Sequence, residues 1–413
     1  MAYLFVLILL FNVLHNLNAQ SSFTLRKVLQ SAKENNLLLK AEFLNVDIAK
    51  QDIVTAGLRP NPILNNQFLQ LVQKSAFGNG TVWSDSRNDQ VWWQLTKSLQ
   101  IAGLRKNKIE LANKNVALKQ EQYEDFQHIL LTYTANKWIE ISTVQKKMSL
   151  ITKALANIDS LAEVNNYRYQ KQVITETELF RTDLLVKRYE IQLHSIEQEH
   201  SNLGNELKLL TGITDSIAID ETDDLEINVS TALDSLIEKA FQNRNDYQAL
   251  VAAQKVSESN IKLQKSLAFP KPEVGIIYNP QNSVPYLGFY ATLPLPVFDR
   301  NQGEIQKAKI EKEQFDARIF ATQKSIETEV LNAKELYETS KANVQDFQKI
   351  IKQSDKVLIN VKYAYTRGGT TIIDFLEAQR SWIETELEYY SVLQRYRQSQ
   401  IQLINALGLI NNL

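Results

Sequence analysis

The sequence predicts a mainly α-helical protein with a small β part, organised as two copies of one structural unit. Its 413 residues include only 12 Gly and 8 Pro, so long stretches are free of helix-breaking residues. Within those stretches apolar residues recur at spacings of three and four, which is typical of a coiled-coil seam. Four short segments instead alternate apolar and polar residues, which is typical of half-exposed strands.

An internal repeat organises the chain. Tyr169 and Tyr365 lie 196 positions apart, and this offset holds without a gap across the second part of each copy. The Pro-x-Pro breaks at 60–62 and 270–272 are related by an offset of 210, because the first copy carries 14 more residues in the polar segment 74–88. A repeat of this length indicates duplication, with the insertion in a loop. We predict a first repeat over 20–212, an equatorial linker and helix over 213–243, and a second repeat over 244–413.

The N-terminal segment 1–19 has the character of a secretory signal peptide. Residues 3–14 are almost wholly apolar, and residues 17–19 resemble a small-residue cleavage site, although no Lys or Arg precedes the apolar run. That run is too short to span a bilayer, and no later stretch has about 18 consecutive apolar residues. If the mature protein enters a membrane, it must therefore do so as strands of a closed barrel.

Two long helices are expected, over 104–169 and 303–365. In the first, the apolar series includes Ile109, Ala112 and Val116 and continues to Ile158. Shorter returning helices are expected over 175–210 and 371–407, each stopping at a glycine.

Each repeat also contains two predicted strands. Val91, Trp93 and Leu95 alternate with more polar residues, as do Leu287 and Phe289. Segments 63–73 and 274–278 supply the other two strands, and the first of these has imperfect alternation. The simpler alternative is two hairpins of a soluble sheet, but isolated hairpins beside very long helices would have little to pack against.

Composition argues against an enzyme and against a nucleic-acid-binding protein. The 46 basic and 47 acidic residues nearly cancel, which leaves no electrostatic footprint for nucleic acid. The absence of Cys excludes disulfides and thiolate chemistry. Three His outside the signal segment, His128, His194 and His200, have the pattern of ordinary helix residues, and no phosphate-binding loop or nucleophile elbow occurs. No cofactor and no bound metal is expected.

Several motifs together resemble the TolC family of outer-membrane efflux proteins. The resemblance covers nearly the whole mature chain and is more specific in the second half. The matching segments are 57–62, 102–105, 243–246, 293–305, 365–368 and 374–379.

This resemblance implies a homotrimer in the outer membrane of a Gram-negative bacterium, with most of its mass in the periplasm. Each protomer would give four strands to a twelve-stranded transmembrane β-barrel and its helices to a coiled-coil α-barrel, with a periplasmic adaptor and an inner-membrane pump of the resistance-nodulation-division type as partners. The 293–303 run is most similar to the heavy-metal efflux branch, so we expect passive export of small solutes with metal cations favoured; type I protein export, multidrug export and a non-membrane periplasmic scaffold remain alternatives. The lipid-facing residues would be Val91, Trp93, Leu95, Leu287, Phe289 and Leu293.

The tip, where the long helices turn back, is the expected gate. Asp374 and Glu377 share one helix face beyond the turn, so a trimer would stack their carboxylates in rings that favour cations and repel one another. The alternative is that acidic residues simply suit a helix N-terminus. Glu178 holds the matching place in the first repeat. Tyr365 and Arg367 are further gate candidates, and Gly368, Gly369 and Gln172 form the tip turns; Thr370 stands where some relatives have an Arg that locks the closed state.

Overall fold

The computed structural model describes residues 22–213, 218–219, 232–280 and 284–413. The predicted signal segment 1–19, and residues 214–217 and 220–231 of the predicted equatorial linker, lie outside the described residues. Two compact units are distinguished, and each is described by itself. One comprises residues 1–41, 124–245 and 323–413, and the other comprises residues 42–123 and 246–322.

Helices dominate the described residues, as predicted. Both long helices and both returning helices begin and end within two residues of the predicted positions. None of the helices in the described ranges is long and apolar enough to cross a membrane. The helices are α1 Leu25–Asn35, α2 Leu37–Gly57, α3 Leu104–Gln170, α4 Glu176–Thr211, α5 Leu233–Asn243, α6 Asn245–Leu267, α7 Gln302–Thr366 and α8 Ile372–Ala406.

The four predicted strands form one antiparallel sheet in the second unit. Its order is β2-β3-β5-β6, so the central pairing joins a strand of the first repeat to a strand of the second. A separate two-residue parallel pairing joins β1 to β4. The strands are β1 Ser22–Phe23, β2 Ile63–Gln70, β3 Asp89–Ser98, β4 Ala218–Ile219, β5 Glu273–Asn279 and β6 Tyr286–Thr292.

The apolar core of the first unit is centred on α3. Trp138 is fully buried there, and its indole N–H donates to the carbonyl of Phe23 at 3.1 Å, so the buried ring has no unpaired polar atom. Ile139, Ile141 and residues of α1, α4 and α8 complete this core. The predicted seam is buried at Ile151 and Ile158.

Two glycines end the returning helices, as the sequence predicts. Gly212 and Gly408 have φ of 69° and 71°, the left-handed region that glycine adopts without steric cost. A Cβ on Gly212 would lie 2.9 Å from the Cβ of Asn35, and one on Gly408 would lie 2.6 Å from the carbonyl of Asn243. Each glycine therefore also allows a close approach of a second chain segment that no other residue would permit.

The two tip turns share one hydrogen-bond pattern. In the first, the N–H of Gln172 donates to Tyr169 O at 2.8 Å and that of Val173 to Arg168 O at 2.9 Å. In the second, Gly368 and Gly369 make the same pair of bonds, which is the Schellman arrangement for closing a helix. Gln172 takes φ of 60° where Gly368 has 74°, so the first turn uses the left-handed conformation without a glycine. Gly369 is not in that region, and neither is Val173, its counterpart in the first turn.

We therefore expect Gln172→Gly to stabilise the first tip turn by about 1 kcal/mol, the cost of a left-handed residue that carries a Cβ. Because this stabilisation is local, amide exchange at positions 172 and 173 should slow about fivefold. The matched control is Gly368→Gln, which should speed exchange in the second turn. Unchanged exchange in both variants would mean that the turns are held by contacts other than their own backbone conformation.

Candidate functional site

The sheet register places five of the six predicted lipid-facing residues on one face. Trp93 pairs with Tyr278 and Leu95 pairs with Ile276 across β3 and β5. In an antiparallel sheet paired residues point to the same side, so this face continues to β6. There Tyr278 pairs with Leu287 and Ile276 with Phe289. We call this surface the apolar face; its members are Leu64, Phe68, Val91, Trp93, Leu95, Val274, Ile276, Tyr278, Leu287 and Phe289.

The apolar face is exposed in the single chain. Phe289 is 84% exposed and Leu287 is 70% exposed, and a contiguous exposed apolar surface of this kind is typical of an interaction or membrane site. Leu64 and Phe68 of β2 belong to it but were not among the predicted residues, because Asn66 between them interrupts the apolar alternation. Leu293 is exposed but lies one residue beyond the end of β6, so its assignment to the strand was wrong.

The opposite face of the sheet is more polar and better filled. Gln94, Thr96 and Glu273 lie on this side. The hydroxyls of Thr96 and Tyr290 form a hydrogen bond, and the Tyr290 ring lies over Gly275, where a Cβ would be 2.6 Å from ring atom Cε1. The two faces therefore differ in chemistry, as the predicted alternation requires.

At the tip, α4 and α8 begin with the same capping box. Thr175 N–H donates to Glu178 Oε2 at 2.7 Å, and Glu178 N–H donates to Thr175 Oγ1 at 3.3 Å. Thr371 and Asp374 repeat the arrangement, at 3.1 Å and 3.2 Å. The sequence spacing of Thr followed three residues later by an acid is a recognised helix-start signal, so these acids have a structural role.

The acidic gate candidates already have partners in the single chain. Asp374 Oδ2 accepts from the hydroxyls of Thr370 and Thr371, each at 2.7 Å. The hydrogen bond from Thr370, followed by those from Thr371, lowers the pKa of Asp374 below its ordinary value. The backbone hydrogen bond from Thr175 likewise lowers the pKa of Glu178. These directions are opposite to the upward shift that crowded carboxylate rings would produce.

Glu377 forms an ion pair with Arg380 on its own helix. The distance from Arg380 Nη2 to Glu377 Oε1 is 2.9 Å, and both side chains are exposed. Arg367 lies over the ring of Tyr363, 4.4 Å from the centroid. The hydroxyl of Thr370 donates a hydrogen bond to the Asp374 carboxylate that caps α8.

A polar network around Tyr365 joins the two helix hairpins. Arg168 Nη1 donates to the Tyr365 hydroxyl at 3.0 Å, and that hydroxyl donates to Asn165 Oδ1 at 3.4 Å. Asn165 is fully buried and donates to Thr182 Oγ1 at 2.9 Å. The Tyr365 ring stacks on Phe375 with centroids 5.2 Å apart. Tyr365 thus links α7 to α3 and to α8.

Tyr365 was a predicted gate candidate, but its partners Arg168 and Asn165 were not predicted. A break in the repeat at these two positions could have revealed them. At the offset of 196, Asn165 corresponds to Val361 and Arg168 to Ala364, so the first copy has a polar pair where the second is apolar.

No metal-binding centre is formed among the described residues. No group of three or more His, Asp or Glu side chains in those ranges is placed to hold an ion. His128 is buried, and its Nε2 lies 2.8 Å from Asn405 Oδ1.

Comparison with known proteins identifies the family. The chain matches the outer membrane efflux protein family over residues 28–212 and 236–409. The cobalt-zinc-cadmium resistance protein CzcC of Cupriavidus metallidurans is 20% identical over 399 residues, which cover 94% of this chain and 91% of that protein.

Solved structures have the same fold. The structure of CusC aligns with a TM-score of 0.77 at 17% identity, covering 95% of this chain and 92% of that one. The Campylobacter jejuni CmeC outer membrane channel aligns with a TM-score of 0.78 at 14% identity, covering 93% of this chain and 85% of that one. Since the family match spans most of the sequence, the chain belongs to the outer membrane efflux protein family, whose members are efflux ducts with a large periplasmic portion.

Proposed function

We propose that three copies of this chain close into one duct through the outer membrane, which exports small solutes passively, with metal cations favoured. The exposed apolar face of the four-stranded sheet is the observation that carries the proposal. Such a face needs an apolar environment, and the more polar opposite face suits a water-filled lumen. The chain would act as a conduit and carry out no catalysis.

The edges of the sheet support the proposed closure by further copies of the chain. β2 and β6 are the outer strands of the sheet. Unpaired backbone N–H and C=O groups are too costly in lipid, so the edge strands must pair with those of neighbouring copies. Three copies would give twelve strands, the number that the family resemblance implies.

The preference for metal cargo is supported by the relative CzcC, which is named for cobalt, zinc and cadmium resistance. The similarity extends over nearly the full length of both chains. The duct itself need not bind the metal, and only two Met and no Cys occur to hold soft ions. Multidrug or protein export is the alternative cargo class.

A periplasmic adaptor and an inner-membrane pump of the resistance-nodulation-division type would supply the cargo at the tip. A groove of about 420 Å³ beside the Tyr365 network would offer the adaptor a docking surface. Its walls come from α3, α7 and α8 and include Leu161, Val164, Lys362 and Trp382. The mixture of apolar and basic groups suits an amphipathic helix with acidic residues.

Opening of the duct would involve the two hairpins of each copy. The Arg168–Tyr365 hydrogen bond and the buried Asn165 hold the hairpins together within one chain. Asp374, Glu377 and the half-buried Glu178 would then face the tip of the trimer as acids that influence which ions pass.

The first test concerns assembly. The purified protein should be a heat-modifiable, detergent-solubilised trimer, because the edge strands of a lone copy would be unpaired in lipid. Gel electrophoresis with and without heating, together with light scattering in detergent, checks this. A monodisperse monomer whose strand amides resist exchange would contradict the trimer.

The second test concerns the apolar face. Phe289→Arg and Phe68→Arg should each destabilise the membrane-inserted form by about 2–4 kcal/mol, the cost of a charge near the membrane midplane on a barrel exterior. The matched control is Gln67→Arg, since Gln67 is exposed beside Phe68 in β2 but lies on the opposite face. Tyr290 is a poor control because its hydroxyl is bonded to Thr96. Trimer yield in the outer-membrane fraction is the readout, and equal losses for Gln67→Arg and Phe68→Arg would refute the assignment of faces.

The third test separates charge from helix capping at the tip. Asp374→Asn with Glu377→Gln should shift the permeability of the reconstituted channel toward equal passage of cations and anions, and should weaken block by multivalent cations. Thr371→Ala is the control, because it breaks the capping box and leaves both carboxylates. Planar-bilayer recordings decide the matter. If Thr371→Ala changes selectivity as much as the charge-neutral variant does, the acids matter only for the start of α8.

A further inference from the structure

A basic cavity lies where β3 leaves the sheet and the chain enters α3. Its volume is about 440 Å³, and all of its walls belong to the second unit. The cavity is lined by Arg59, Pro60, Lys97, Ser98, Leu99, Gln100, Ile101 and Arg105. Three cationic side chains and no acidic ones therefore surround a space large enough for a phosphate-bearing head group.

Two of the three cations, Lys97 and Arg105, are held in place by hydrogen bonds to backbone carbonyls. Arg105 Nε donates to the carbonyl of Gly57 at 2.6 Å, and Lys97 Nζ donates to the carbonyl of Pro60. In the part of the chain that the structure describes, no ion pair joins Arg59, Lys97 or Arg105 to a carboxylate. A guanidinium has five N–H donors, so most of the donors of Arg59 and Arg105 remain available to an anion.

The cavity is continuous with the apolar face. Lys97 lies two residues beyond Leu95 on that face and pairs with Val274. Leu99 and Ile101, which line the cavity, are 38% and 39% exposed. Apolar side chains followed by cations match the order of acyl chain and anionic head group in a phospholipid.

The side chain of Gln100, in the wall of the cavity, has an acceptor without a partner, which a small rotation of the side chain would bring to a ligand. Gln100 Oε1 is buried and makes no hydrogen bond. Burying such an acceptor is costly unless a donor reaches it, and a hydroxyl on a lipid head group would do so. The group is an acceptor beside cations, which suits a ligand that carries both a phosphate and a hydroxyl.

The repeat provides an internal comparison for these charges. By the offsets that relate the two copies, Arg59, Lys97 and Arg105 correspond to Phe269, Leu293 and Asn301. The second junction is therefore built without a cation at any of these positions. The second copy joins a strand to a long helix without these charges, so the join by itself does not account for three cations in the first copy.

We propose that this cavity binds the phosphate of an anionic phospholipid with a hydroxyl-bearing head group, in the leaflet that faces the periplasm. The inference rests on the proposed function, because the apolar face must lie in a bilayer for the cavity to meet its head groups. Arg59 and Arg105 would hold the phosphate oxygens, Lys97 would add charge at the membrane surface, and Gln100 would accept from the hydroxyl.

The test uses the full-length trimer, stripped of lipid in detergent and titrated with dioleoylphosphatidylglycerol or dioleoylphosphatidylcholine, with bound lipid counted by native mass spectrometry. Arg59→Gln, Lys97→Gln and Arg105→Gln combined should weaken phosphatidylglycerol binding at least about tenfold and leave phosphatidylcholine binding unchanged. Arg59→Gln alone, which disturbs neither backbone hydrogen bond of the cavity, should weaken it several-fold. The matched control replaces Lys108, Lys114 and Lys119 of α3 by Gln, which removes equal charge outside the cavity and should have no effect.

Three outcomes would overturn the proposal. Equal phosphatidylglycerol binding by the wild type and the cavity variants would remove the site. Displacement of the lipid by millimolar inorganic phosphate would mean that the cavity takes free phosphate and not a lipid. Loss of phosphatidylglycerol binding in the α3 control as well would mean that general surface charge, and not the cavity, attracts the lipid. Failure of the proposed function is distinguishable, because the wild type would then not remain in the membrane fraction at all.

Discussion

The backbone edges of one four-stranded sheet constrain the rest of this protein. Among the described residues, β2 and β6 each have one side without a strand partner, and the face they border is apolar and exposed. In water such a sheet would attract other strands, and in lipid its unpaired N–H and C=O groups would be intolerable. The proposed closure by copies of the same chain would satisfy both the edges and the apolar face. In such a duct, the unpaired backbone groups of the edge strands would be hydrogen-bonded and the apolar face would lie in lipid.

The internal duplication gives both returning helices, and both tip turns, the same local stabilising features. Both returning helices start with a Thr and an acid in a capping box, and both tip turns close with the same pair of backbone hydrogen bonds. These features can occur unchanged in both copies, because each involves only a few neighbouring residues. The two copies also differ in local features. The Asn165 and Arg168 pair that holds Tyr365 is found only in the first copy, and so is the basic cavity at the end of β3.

The acids at the tip show how one residue can serve structure and electrostatics together. Asp374 caps α8 through Oδ2, and those hydrogen bonds favour its ionised form by lowering its pKa. The lowered pKa means that the Asp374 carboxylate stays charged to a lower pH than an ordinary Asp does. Glu377 is different, since its partner Arg380 is exposed and on the same helix, and such surface pairs are weak. Any ion selectivity at the tip would depend on the Asp374 carboxylate, which is held by the capping box, and on the Glu377 carboxylate, whose ion pair with Arg380 can break.

The sequence by itself determined the long helices, the four strands, the two glycine stops and the position of each tip turn. These follow from local signals, namely apolar spacing, the scarcity of Gly and Pro, and the repeat. It failed at Leu293, where alternation continues past the end of β6, and at Leu64 and Phe68, where Asn66 interrupts it. Only the tertiary structure decided that β3 pairs with β5, that Arg168 reaches Tyr365, and that Arg59, Lys97 and Arg105 surround one cavity. Each of these contacts joins residues that are far apart in the chain. A local pattern of side chains does not specify which distant strand or side chain a residue will contact.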